Sequence, residues 1–264
     1  MDQEQQAGAE LAPQTLEQAL ALLARRDAQL AALRSEQQAW VHAVSHDLRA
    51  PLRHVLAFNP LIAELLQSPH PGAEELEEAL GFLHTMDQSA QRMAAMFDGL
   101  LQLARATRQA LSWQAVDLAP LLHSLKQQLE SAAPGRNIVW RLPEACPVVQ
   151  ADPQLLEQAL RAALSNALKF SRGVPQACIQ IGVSLSDEGG LAIAVSDNGV
   201  GFDEARADRL FGIFQRMHRE AEFEGVGTGL ALVRSICRRH GGEASIHGQN
   251  GLGCELRLGW PQPR

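Results

Sequence analysis

SDNGVGFDEARADRLFGIFQRMHREAEFEGVGTGLALV, residues 196–233, holds two glycine sets with different chemistry. Asp197 follows the apolar run LAIAV (191–195), so it stands at a strand end, and Gly199 and Gly201 then give a tight turn. A carboxylate at that place faces a pocket and can accept from an exocyclic amine such as adenine presents. Taken alone, DNGVG is also what a plain turn looks like. Gly225, Gly227 and Gly229 precede a helical pattern, so backbone N–H groups and a helix N-terminus can cradle phosphates. The spacing is GxGxG and the preceding REAEFE is no strand, so the GxGxxG dinucleotide fingerprint is not met. Between the two sets, Phe211 and Phe214 are spaced i,i+3 as core aromatics, and Arg216 is within reach of a phosphate.

Upstream, LSNALKFS (164–171) lies late in a helix that starts at Asp152-Pro153. Asn166 offers an amide oxygen to a hard cation such as Mg²⁺. Lys169 is a compact charge suited to a phosphate. Of the 23 cationic residues only Lys126 and Lys169 are lysine, so a chain biased to arginine keeps an ammonium here. An ordinary solvated lysine is the plainer reading. Further upstream, SHDLRAPL (45–52) puts His46 beside Asp47 in a helix, with Pro51 five residues on and Pro60 beyond it. A neutral imidazole is a nucleophile toward phosphorus when an acceptor holds its other nitrogen, and a neighbouring carboxylate can take that part. A surface histidine beside a helical aspartate has the same pattern. The prolines predict bends at 51 and 60. His42 and His46 have the spacing of a helical metal pair, but Ala43 follows His42 and no third ligand lies nearby.

The 264 residues change character near residue 115: four of the 21 glycines precede that point, where the net charge is −6, and the remainder carries −1. The Gly-poor part reads as helix and the Gly-rich part as mixed α and β. In residues 14–45, Leu16, Leu23, Leu30, Gln37 and Val44 take heptad position a, and Ala19, Arg26, Leu33 and Trp40 take d, which predicts a coiled coil. The helix continues over 46–67, a turn occupies 67–75, and a second helix covers 74–106. Such a hairpin leaves an apolar stripe that dimerisation into a four-helix bundle would bury. Strands are expected at 138–142, 177–185, 190–196, 243–248 and 253–258, and helices at 117–132, 152–170, 204–216 and 228–240. The net charge of −7 disfavours nucleic acid as a partner. No apolar run approaches the ~20 residues of a membrane span. Four scattered cysteines without a CxxC pair fit a reducing, cytoplasmic setting.

The order His46, Asn166, Asp197-x-Gly199-x-Gly201, Phe211/Phe214, Gly225-x-Gly227-x-Gly229 resembles the transmitter module of sensor histidine kinases over about residues 40–260. SHDLRAPLR (45–53) and FQRMHREAEFEGVGTGLALVRSICRRHGG (214–242) are similar to its phytochrome-like branch. The resemblance implies an α+β chain: a coiled-coil signalling helix (14–45) behind a frayed N-terminus (1–13), a dimeric phosphotransfer hairpin (46–107), a linker (108–116), and a catalytic α/β sandwich of the GHKL (Bergerat) type (117–264). It implies a homodimeric protein-histidine kinase that takes phosphoryl from ATP with Mg²⁺ and passes it to an aspartate of a response regulator receiver domain. His46 would be the phosphoacceptor and Asp47 its base. Asn166 would hold Mg²⁺, and Lys169 and Arg216 would meet phosphates. Asp197 would read adenine, with Gly199 and Gly201 shaping its pocket. Gly225, Gly227, Thr228, Gly229 and Leu230 would close on the triphosphate, and 217–226 would form a short lid. No folded sensor domain fits before residue 14, so input is expected from a separate sensor protein or from a longer chain. Two departures stand out. Ala162 replaces a second Asn, which favours the alternative of a degenerate nucleotide-binding scaffold or inhibitor of another kinase. Ala50 replaces the polar residue that orients water for phosphatase activity, so that activity is expected to be weak.

Overall fold

The computed structural model describes residues 16–67, 72–185, 190–217 and 222–261. The expected frayed N-terminus, residues 68–71 of the turn and residues 218–221 of the lid lie outside them. By compactness the chain divides into two units, the first ending at Asp47 and the second beginning at Leu48.

Helix α1 (Leu16–Leu66) runs through both Pro51 and Pro60, so neither proline ends it, although each withdraws one backbone donor. In the first unit the heptad residues Leu23, Leu30 and Trp40 are exposed. In the second unit the remainder of α1 faces α2 (Ala73–Arg108): Phe58 stacks on Phe82 with ring centroids 5.0 Å apart. The start of α2 is fixed by Gly72, whose N–H donates to Glu75 at 2.6 Å. Ile62, Ala79 and Met96 are buried, while Leu52, Leu56, Leu76, Leu80 and Leu83 stay exposed.

Beyond the hairpin, a five-stranded sheet in the order β2-β4-β5-β7-β6 is formed by Ile138–Arg141, Ala177–Leu185, Leu191–Asp197, Gly253–Trp260 and Ala244–Gln249. Only the β2–β4 pair is parallel. Alternation in β5 puts Leu191, Ile193, Val195 and Asp197 on the inner face. Against that face lie α3 (Leu118–Ser131), α4 (Pro153–Phe170) and α5 (Gly229–Arg239), and Leu155, Leu160, Leu164, Val233, Ile236 and Leu258 form one apolar core. The result is an α+β chain with an N-terminal helical hairpin and a C-terminal two-layer α/β domain, as expected.

Two short strands fall outside the expected set. β1 (Gln114–Asp117) pairs antiparallel with β3 (Val148–Ala151), so the linker's last residues are a strand. Four residues apiece are too few to show a period, and their pairing is long-range. The helix expected at 204–216 is instead a 3₁₀ segment, Glu204–Phe211, which Gly212 ends by turning extended at ψ 151°. The linker is also held to the domain. Arg239 donates to the carbonyls of Ala106 and Gln109 at 2.6 and 2.5 Å, satisfying groups at the end of α2. The Ser112 N–H donates to Asp152 at 3.0 Å.

Candidate active site

The expected residues assemble in two places. On α1, the imidazole of His46 is 71% exposed, and its Nδ1 lies 3.0 Å from Asp47 Oδ1. A carboxylate only accepts, so the neutral ring carries its proton on Nδ1 and leaves the Nε2 lone pair free.

In the second unit a cavity of about 230 Å³ opens between the end of α4, the end of β5 and the loop before α5. Asn166 and Lys169 reach it from α4, Asp197 and Gly201 from β5 and its turn, and Arg216 from the segment after the 3₁₀ turn. Gly225, Gly227, Thr228, Gly229 and Leu230 bound it from the loop and the first turn of α5. Gly199 stands behind, its N–H donating to Asp197 Oδ1 at 2.9 Å.

Each part has a local cause. Asp152 caps α4 by accepting from Gln154 and Leu155, each at 3.1 Å, which fixes the helix that carries Asn166 and Lys169. Gly227 has φ 78°, and a Cβ there would sit 2.7 Å from the Gln215 carbonyl oxygen. Phe214 is left-handed as well, at φ 58°, and its N–H donates to the Gly227 carbonyl at 3.0 Å. This bond pins the glycine loop to the segment that carries Arg216.

The electrostatics suit a polyanion with a base at one end. Burial, with the Arg216 charge second, draws the Lys169 ammonium down to about 8; its Nζ lies 4.3 Å from the Phe170 ring centroid. Burial pushes the Asp197 carboxyl above the usual carboxylate range, against the bonds from Cys254 and Gly199. Arg216 donates to the Phe223 carbonyl, and Arg172 pairs with Glu224 at 2.7 Å, so the loop's far side is tied down. Among the described residues no group of three or more His, Cys, Asp or Glu side chains could hold a metal; the Asn166 amide lines the cavity beside Gly229 at the start of α5.

Residues 36–109 match the His Kinase A (phospho-acceptor) domain. Residues 151–264 match the histidine kinase-, DNA gyrase B-, and HSP90-like ATPase. The chain carries a sensor histidine kinase transmitter module. Its relatives include the sensor histidine kinase ZraS of Escherichia coli, 33% identical over 83% of this chain and 44% of that protein. Cyanobacterial phytochrome A of Nostoc is 31% identical over 83% and 28%. The methanogenesis regulatory histidine kinase FilI of Methanothrix harundinacea is 27% identical over 91% and 26%. The chain spans about a quarter to a half of the length of such relatives. The crystal structure of full-length ShkA in complex with AMPPNP matches with a TM-score of 0.54 and 26% identity, over 86% of this chain and 46% of that one.

In this transmitter module the cavity wall includes residues to which sequence reasoning assigned no site role, among them Phe170, Phe202, Ile246 and Cys254, while Phe223 comes from the expected lid segment. Phe170 stood inside a quoted motif without a role; its ring centroid is 5.1 Å from that of Phe223. Cys254 is brought opposite Asp197 by the β5–β7 ladder, a pairing across many residues that no local pattern announces.

Proposed function

We propose that this chain is an ATP-dependent protein-histidine kinase that phosphorylates its own His46 and passes the phosphoryl group to an aspartate of a response regulator. The observation that carries the proposal is the single cavity to which a buried carboxylate, two cations and a glycine-lined helix start all contribute, in a chain that also holds the His46–Asp47 pair. These residues fit ATP: Asp197 accepts from the 6-amino group, and Lys169, Arg216 and the amides of Gly225–Gly229 meet the phosphates. Asn166 would hold Mg²⁺, which when bound neutralises phosphate charge.

Nε2 of His46 attacks the γ-phosphorus in line. The N–P bond forms as the bond to the β-phosphate oxygen breaks, and ADP leaves. Asp47 holds the Nδ1 proton throughout and offsets the positive charge that develops on the ring. The receiver aspartate then takes the phosphoryl group from nitrogen.

The same reading assigns residues 14–45 to a signalling coiled coil, 46–107 to phosphotransfer, 108–116 to the connection and 117–264 to catalysis. The exposed leucines of the hairpin support a homodimer, since a second copy would cover them. The test is incubation with γ-labelled ATP and Mg²⁺. Wild type is expected to label, and Asn166→Ala and Asp197→Asn to stay blank. Equal labelling of all three would refute the assignment of this cavity.

A further inference from the structure

Asp197 at the end of β5 and Cys254 on β7 are directly opposed in the sheet, and both line the cavity. The two oxygens of Asp197 are held separately. Oδ1 accepts the Gly199 N–H at 2.9 Å, and Oδ2 accepts the Cys254 thiol at 3.1 Å. The Cys254 backbone N–H is a further donor to the same carboxylate, so the group cannot rotate without losing a bond, and its remaining acceptor sites are fixed in direction. We propose that Cys254 is a positioning residue for base selection, its thiol setting the rotation at which Asp197 meets the 6-amino group of adenine. The proposal rests on the reading of Asp197 given above.

Three features make the thiol suited to this part. Gly253 has φ 88°, and a Cβ there would lie 2.7 Å from the Asp197 carbonyl carbon, so β7 begins hard against the residue it orients. Burial, with the Asp197 charge second, pushes the Cys254 thiol far up, so it stays protonated and remains a donor. The donor is also in the cavity wall, where it acts on the carboxylate from the side. A thiol is a weak donor, and a hydroxyl of similar size would do the same work more firmly.

The test compares ATP with the purine ribonucleoside triphosphate that lacks the 6-amino group, by equilibrium titration of the full chain. Wild type is expected to prefer ATP. Cys254→Ala should bind ATP about five- to tenfold more weakly while its affinity for the analogue changes by less than about twofold. Cys254→Ser should restore the preference or raise it. If Cys254→Ala weakens both nucleotides alike, or neither, or if Cys254→Ser loses the preference, the positioning role is overturned. If wild type binds neither nucleotide, or both equally, adenine reading by Asp197 fails and the role of Cys254 falls with it. A thermal melt of each variant separates misfolding from altered selection.

Discussion

Lys169 shows how one side chain carries both a structural cost and a use. Burial beside Arg216 disfavours its charge and brings its pKa to about 8 in the free protein. It is charged below that value and neutral above it. ATP affinity is therefore expected to fall as pH rises through about 8, with one proton taken up on binding above that point. Isothermal titration in buffers of different ionisation enthalpy reads this directly, and Lys169→Met should bind more weakly and lose the dependence. The reason to look at Lys169 was legible in the sequence, in a lysine kept by an arginine-rich chain. Its lowered pKa was not, because it depends first on burial in the folded cavity and then on Arg216, 47 positions away.

At the scale of elements, the glycine loop and the α4 cap each give a measurable consequence. Gly227→Ala forces a left-handed backbone and a close approach to Gln215. It is expected to cost about 1–2 kcal/mol and to weaken ATP binding, checked by denaturant unfolding and nucleotide titration. His240 is buried with both nitrogens engaged: Nδ1 donates to the Ile236 carbonyl at 2.8 Å, and Nε2 accepts the Asp152 N–H at 3.1 Å. Its ring packs on Trp113 and Trp260, and the charges beside it are Asp152 and Arg239. Burial lowers its pKa, so the folded state favours the neutral ring. The stability this confers is present above about 6.5 and is lost as pH falls through the folded-state value. The melting temperature should drop between about pH 7 and pH 5, and His240→Gln should flatten that slope. The long elements were legible because α1, α2, α4 and α5 repeat an apolar period over several turns, and β4 was placed at its observed limits. β1 and β3 were not, since four residues each gain their identity only from one another.

For the whole molecule, the account requires a second copy. Leu56 and Leu80 are each 65% exposed on the hairpin, an arrangement a monomer in water gains nothing from. Sedimentation should find a dimer, and Leu56→Glu with Leu80→Glu should shift it to monomer. The order of the motifs made the transmitter architecture readable before any coordinates, because each box is local: His46-Asp47, Asn166 and Lys169, Asp197 with its glycines, and Gly225 to Gly229. The wall of the cavity was less readable, since Cys254 reaches it through strand pairing. The central claim is that His46 is the residue phosphorylated by ATP. Tandem mass spectrometry of the full chain after incubation with ATP and Mg²⁺, kept at neutral pH throughout, tests it most directly. The account predicts one phosphate on His46, removed by brief acid and missing from His46→Gln; an acid-stable phosphate elsewhere, or an unmodified His46 in protein that binds ATP, would contradict it.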